Sequence, residues 1–171
     1  MKPSLPEETK DTREATGWLA VLAWILVSTL AINAAYIVGD EVGGLIVSET
    51  SFAALVNGFG VALVRALPTF LFIAALVDFA LLFGRCSDGD VFTRRNLKIL
   101  RSGGETLLLA AAASAVISPT LLGWIEGDAR GVVFEPNDLA LGTAGMGLVI
   151  GGLALVFRDA VKLKEDNDQF I

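Results

Sequence analysis

The chain has 171 residues, of which 54% are hydrophobic and 19% charged, and its formal net charge is −6 at pH 7. This composition is more apolar than the surface of a soluble domain usually allows, and the acidic balance argues against a protein that is basic overall. The absence of histidine removes the commonest general base and metal ligand. The single cysteine, Cys86, excludes a disulfide within the chain and a cysteine-rich metal site.

Four long apolar runs follow one another along the chain. Each is close to the ~20 residues that an α-helix needs to cross ~30 Å of hydrocarbon. The first run is longer than the apolar part of a signal peptide, so we interpret it as an uncleaved span. The sequence therefore predicts an all-α, polytopic membrane protein with four transmembrane helices. The predicted spans cover about residues 17–38, 61–84, 106–125 and 139–157.

These spans divide the chain into a membrane domain, 17–157, and two tails, 1–16 and 158–171. A loop, 85–105, joins spans two and three. Residues 51–60 are apolar but contain one asparagine and two glycines, so they either extend span two or lie on the outer surface.

The distribution of basic residues predicts the orientation of the spans. Three Lys or Arg residues precede span one, five lie between spans two and three, and three follow span four. The loops on the other side contain a single basic residue, Arg130. The positive-inside rule therefore places both termini and the loop 85–105 in the cytoplasm. We expect a multi-pass membrane protein in this orientation.

Two charged residues fall inside span two. Asp78 is either a proton or cation site or a carboxylate near the interface, satisfied by Arg85, by Arg158 or by water. Arg65 is thirteen positions away, on roughly the opposite face of the helix, so the two side chains cannot pair directly. We expect Arg65 to extend outward towards the interface.

Prolines and glycines mark the remaining features of the spans. Pro68 and Pro119 remove backbone donors and can bend spans two and three. Gly147 and Gly151 form a GxxxG face, which favours close helix packing within the chain or between subunits. The sequence contains no nucleophile elbow or HExxH motif, and "SGGE", 102–105, is too short for a phosphate-binding loop. We expect no catalytic function, cofactor or metal.

The segment between spans two and three carries the densest positive charge. Thr93 is a plausible N-cap for a helix that runs from Arg94 into span three. On that helix the basic residues form a face suited to anionic lipid head groups or an acidic protein partner. The patch is short, lacks interleaved aromatic residues and is tied to the bilayer at both ends, so direct binding of nucleic acid is not expected. The candidate surface comprises Phe92, Thr93, Arg94, Arg95, Asn96, Lys98 and Arg101.

The same segment, "DGDVFTRRNLKILRSGG", resembles the signature of a bacterial membrane family, domain of unknown function 2975. The signature reads G-x-x-F-[TS]-x-x-N-x-x-x-L-[KR]-x-x-G. The positions that carry the resemblance are Gly89, Phe92, Thr93, Asn96, Leu100, Arg101 and Gly104. "RALPTFLFIAALVDFALLFG" is similar to the proline-bearing second span of that family, and "DAVKLKEDNDQF" to its ending.

The resemblance implies four-helix inner-membrane proteins that are often encoded beside a small helix-turn-helix regulator. It therefore implies a regulatory or sensor-type membrane partner of such a cytosolic regulator. Two alternatives remain open from the residues themselves. One is a small transporter or channel that uses Asp78, and the other is a structural or assembly subunit that forms a homo-oligomer through Gly147 and Gly151.

Overall fold

The computed structural model describes residues 7–47, 51–89, 91, 93–127 and 131–168. All of the regular secondary structure in these residues is helical, and they contain no strand. Four helical rods are long and apolar enough to cross a membrane. They cover Arg13–Gly44, Phe52–Ser87, Arg94–Glu126 and Asp138–Leu163. The predicted all-α architecture with four spans is therefore confirmed.

The helices extend beyond the apolar runs that predicted them. We number them α1 (Glu7–Val47), α2 (Phe52–Ser87), α3 (Arg94–Ala112), α4 (Ser118–Glu126) and α5 (Asp138–Asp168), with a π-helical turn, Ala113–Ile117, joining α3 to α4. Ser51 is the N-cap of α2, and its Oγ accepts a hydrogen bond from the Ala54 amide. Residues 52–60 are therefore part of the second helix.

The helices pack as neighbours in a curved row rather than as a closed ring. The first helix packs on α2, α2 on α3, and α3 on α5, whereas no comparable packing joins α1 to α5 within the described chain. Alanine dominates the buried apolar positions, among them Ala34, Ala62, Ala75 and Ala113. Small residues let helix backbones approach closely in a membrane, where large apolar side chains can face the lipid at no cost.

Contacts between neighbouring helices fix the two ends of the bundle. Arg13 at the start of α1 donates from Nη2 to the carbonyl of Asp88, at 2.7 Å, just after α2. The end of the bundle near Arg13 and Asp88 also contains the start of α3 and the C-terminal half of α5. We call it the basic end. The opposite end holds the end of α1, the start of α2, the end of α4 and the start of α5. We call it the acidic end because Glu126, Glu135 and Asp138 lie there.

Candidate functional site

The first turn of α3 is built as the sequence predicted. Thr93 has an extended backbone, with φ −126° and ψ 149°, and its Oγ1 accepts a hydrogen bond from the Asn96 amide at 3.2 Å. A side-chain oxygen at the N-cap satisfies one of the helix's unpaired amides, so the helix can begin at Arg94. The connection between α2 and α3 is consequently much shorter than the predicted loop 85–105.

The candidate basic surface is only partly available to a partner. Arg94, Arg95 and Lys98 are exposed at the basic end. Arg101 is also exposed, but its Nε lies 2.7 Å from Oε1 of Glu105, one turn along the helix, which offsets its charge. Phe92 lies outside the described residues.

Asn96 corrects one part of the predicted surface, because its side chain is only 4% exposed. Its Nδ2 donates to the carbonyl of Val91 at 3.3 Å, which ties the start of α3 to the residues that precede it. This bond from Nδ2 offsets part of the cost of burying a polar side chain. Asn96 therefore orders the turn and cannot serve as a contact residue.

The two charged residues of span two lie far apart and have different surroundings. Asp78 is half-buried and makes no hydrogen bond or ion pair with any described residue. Neither Arg85 nor Arg158 reaches it, and Nε of Arg158 lies 3.5 Å from Oδ1 of Asp159 instead. Arg65 extends to the acidic end, where its Nη2 lies 3.7 Å from Oε1 of Glu126. The two residues thus line no common polar path.

The glycine face of α5 packs inside the chain. A Cβ added to Gly147 would lie 3.0 Å from the carbonyl oxygen of Gly104, and one added to Gly104 would lie 3.1 Å from the amide nitrogen of Gly151. The backbones of α3 and α5 therefore touch at this crossing. Gly104 is the partner that the sequence did not identify, since neither the family signature nor the reading of "SGGE" as a loop indicates a contact with α5.

Each of the two intramembrane prolines frees a backbone carbonyl that another part of the chain then binds. Pro68 lacks an N–H, which leaves the carbonyl of Val64, four residues earlier, without its helical donor. The Ser118 hydroxyl donates to that carbonyl oxygen at 2.9 Å. Pro119 likewise frees the carbonyl of Ala115, which accepts the Glu135 amide at 2.8 Å. Such replacement donors allow proline inside a membrane helix.

The π-helical turn is part of the same arrangement. Within it the backbone N–H of Ser118 donates to the carbonyl of Ala113, five residues earlier. A π turn inserts one extra residue into the helix and often occurs at functional sites. Here it lies directly before Pro119, and it places Ser118 against α2 while leaving the Ala115 carbonyl open to the segment from 131 to 137.

That segment runs back along α4 from the acidic end. The indole Nε1 of Trp124 donates to the carbonyl of Gly131 at 3.0 Å. The Thr120 hydroxyl both accepts the Val133 amide at 2.9 Å and donates to the Val133 carbonyl at 3.1 Å. Asn137 then caps α5, because its Oδ1 accepts the Ala140 amide at 2.7 Å. The start of α5 is thereby held against the π turn.

A cavity of about 230 Å³ lies where all four rods meet, next to this segment. Its wall is mostly apolar, with three hydroxyl-bearing side chains, Thr69, Ser114 and Thr143. The lining residues are Leu30, Pro68, Thr69, Phe72, Ala110, Ala111, Ser114, Leu139, Ala140 and Thr143. Concave apolar sites with a few polar groups are the usual form of a small-molecule site. Sequence reasoning missed this one because its walls come from four helices whose packing order no local pattern reveals.

The comparisons with known proteins identify one family. The family model described as "Protein of unknown function (DUF2975)" matches residues 61–171, from the second span to the end of the chain. No curated protein and no solved structure matches the chain. The match covers more than half of the chain and includes the capped start of α3, both prolines and the Gly104–Gly147 crossing. The chain therefore belongs to the family described as "Protein of unknown function (DUF2975)".

Proposed function

We propose that this integral membrane protein has no catalytic function and acts as a regulatory or sensor-type partner of a cytosolic helix-turn-helix transcription regulator. In this proposal the protein lies in the bacterial cytoplasmic membrane with its basic end in the cytoplasm. The observation that carries the proposal is the exposed cluster of Arg94, Arg95 and Lys98 on the capped first turns of α3.

The position of these charges on the helix supports a role beyond topology. The N-terminal turn of an α-helix carries a partial positive charge, so cations there are unfavourable by about 0.3–1 kcal/mol each. The first turn of α3 itself contains no acidic residue, and it carries Arg94 and Arg95. An acidic surface on a partner would remove that repulsion.

The turn that presents these side chains is also ordered. Thr93 caps the helix, and Asn96 binds the carbonyl of Val91 within the same turn. The backbone that carries Arg94, Arg95 and Lys98 is therefore fixed before a partner binds, which lowers the conformational entropy lost on association.

The test measures binding of a helix-turn-helix regulator encoded in the same transcription unit, which the proposal requires. The triple variant Arg94→Glu, Arg95→Glu and Lys98→Glu should weaken binding at least tenfold, because each exposed pair contributes about 0.2–1 kcal/mol and reversal adds repulsion. The matched control, Arg94→Lys with Arg95→Lys, keeps the charge and should bind within about threefold of the unmodified protein. Binding by the unmodified protein should also weaken as salt is raised, because salt screens exposed charges.

Orientation has to be measured for every variant, since removing positive charge can invert a membrane protein. Reporter fusions at the C-terminus should report a cytoplasmic location for the unmodified protein and for both variants. Equal binding by the triple variant in the same orientation would refute the proposal. The absence of a helix-turn-helix gene in the same transcription unit would also argue against it.

The two alternatives lack a supporting observation of this kind. A transporter that used Asp78 and Arg65 would need a path that joins them, yet Arg65 is engaged with Glu126 at the acidic end. An assembly subunit that used the glycine face of α5 would need that face outside the bundle, yet Gly147 contacts Gly104 of the same chain.

A further inference from the structure

The cavity between the four rods contains hydroxyl groups whose protons have no acceptor in the described chain. A hydroxyl on a membrane helix usually donates to a carbonyl of its own helix. Ser28, Thr29 and Thr143 do so, each to the carbonyl four residues earlier, at 2.9, 2.9 and 2.8 Å. Thr69 makes no hydrogen bond with any described residue, although it is half-buried and lines the cavity.

Ser114, on the α3 side of the cavity, adds a second available proton. Its Oγ accepts Nδ2 of Asn137 at 3.4 Å, but its own hydroxyl proton reaches no acceptor among the described residues. The two helices run antiparallel, and the Ser118–Val64 hydrogen bond places Ser114 at about the level of Pro68, next to Thr69. The cavity therefore offers two neighbouring donors in apolar surroundings, where an unpaired hydroxyl is costly.

Such donors select a ligand that carries an acceptor oxygen. Because α1 and α5 share no extensive packing in the described chain, we infer that the cavity opens through a gap between them towards the hydrocarbon of the bilayer. Its other lining residues are almost all apolar, including Leu30, Phe72 and Leu139. An occupant that arrives through this gap comes from the bilayer, and it combines a hydrocarbon chain with an oxygen acceptor near one end.

The position of Arg65 indicates how such a molecule would lie. Arg65, Thr69 and Phe72 are spaced three and four residues apart, so they share one face of α2. Arg65 lies one turn outward from Thr69, about 6 Å along the helix axis. Its side chain is 51% exposed beside Glu126 at the acidic end. A lipid that enters with its head group at this level would place its ester region near Thr69 and its acyl chain along Phe72.

We propose that the cavity binds one glycerophospholipid from the leaflet at the acidic end. The hydroxyls of Thr69 and Ser114 donate to an ester carbonyl oxygen, and a segment of one acyl chain fills the apolar remainder. The cavity, about 230 Å³, is smaller than the 300–1,000 Å³ typical of sites that enclose a whole ligand, so it takes only a segment. Glu126, Glu135 and Asp138 make the surrounding surface acidic, so an anionic head group is not the selected feature.

The experiment compares two phosphatidylethanolamines with matched chains, one diester and one diether. The diether lacks carbonyl oxygens and keeps the head group and the hydrocarbon. Each is titrated into the purified full-length protein, and native mass spectrometry measures the lipid-bound fraction. The unmodified protein should bind the diester about fivefold more tightly, which is the contribution expected of one hydrogen bond.

Variants at Thr69 separate the hydroxyl from the cavity itself. Thr69→Val keeps the shape and removes one of the two donors, so the preference for the diester should fall, and combining it with Ser114→Ala should abolish the preference. Thr69→Phe fills the cavity, so binding of both lipids should fall. Thr29→Val is the matched control, because Thr29 is exposed and bonds its own helix. It should keep the fivefold preference.

Two results would overturn the proposal. One is equal binding of the diester and the diether by the unmodified protein, and the other is an unchanged preference in Thr69→Val. A lipid-free protein dimer as the main species would also overturn it, because a second copy would then cover the gap. The site is independent of the proposed partner at the basic end, so either proposal can fail without the other.

Discussion

The hydrogen bond from Ser118 to Val64 provides a quantitative test of how the spans are joined. The Ser118 Oγ donates at 2.9 Å to the carbonyl oxygen of Val64, which has no donor within α2 because Pro68 lacks an N–H. Ser118→Ala removes the replacement donor and leaves the carbonyl unpaired between two helices. We expect the free energy of unfolding to fall by about 1 kcal/mol, within the ~0.6–1.7 kcal/mol measured for hydrogen bonds between membrane helices.

A second substitution makes this prediction specific. Pro68→Ala restores a backbone N–H that can donate to the carbonyl of Val64 within α2. In that background the Ser118 hydroxyl is no longer the carbonyl's required donor, so Ser118→Ala should cost only a few tenths of a kcal/mol. The double-mutant cycle should therefore give a coupling of about 0.5–1 kcal/mol between positions 68 and 118.

Reversible unfolding in mixed detergent micelles, followed by tryptophan fluorescence, measures all four proteins. Ser28→Ala is the matched control, because it makes the same chemical change at an exposed serine that bonds its own helix at 2.9 Å. Its effect should lie within ~0.5 kcal/mol of zero. Additive effects of the two substitutions, within ~0.3 kcal/mol, would refute the idea that Ser118 replaces the donor that Pro68 lacks.

Two further predictions concern the α3–α5 crossing and the segment that follows α4. Gly147→Ala should lower the free energy of unfolding by about 1–3 kcal/mol, because its Cβ would meet the backbone of Gly104. In the control, Gly151→Ala, the added Cβ meets nothing within 4 Å, so this variant should be neutral or stabilising. Equal losses of unfolding free energy in the two variants would contradict the crossing. Thr120→Val removes both hydrogen bonds to the Val133 backbone, so the rate of hydrogen exchange at the Val133 amide, measured by mass spectrometry, should rise at least tenfold. An unchanged rate would show that other contacts hold the segment from 131 to 137.

The sequence correctly predicted features that depend only on residues close together in the chain. The cap at Thr93 depends only on a hydroxyl placed before a helical pattern, so it could be recognised without the fold. The outward course of Arg65 was predicted because a long basic side chain inside a span extends towards the interface. Local rules of this kind misassigned Asn96, because a polar residue in a basic segment is usually exposed. Its burial depends on how the preceding turn folds back onto α3.

Features that depend on pairing between helices could not be predicted from one sequence. Gly147 was identified as a packing residue, but its partner Gly104 lies more than 40 positions earlier. The cavity depends on a packing order in which α1 and α5 stay apart. Ser118 gave one usable signal, since a serine directly before a membrane proline is a natural donor to a carbonyl freed nearby. Which carbonyl it binds became evident only from the structure.

The main effect of the two prolines is to free backbone carbonyls as hydrogen-bond acceptors, rather than to bend their helices. If Pro68 and Pro119 only bent their helices, the carbonyls of Val64 and Ala115 would need no particular donor. Each instead receives one from a different part of the chain, Ser118 in the first case and Glu135 in the second. Those two bonds, with the cap at Asn137, join α2, the π turn and α5 around one side of the cavity. A bend alone would show no coupling between positions 68 and 118, so the double-mutant cycle separates the two roles. A measured coupling would mean that the shape of the cavity depends on which carbonyls the prolines leave free.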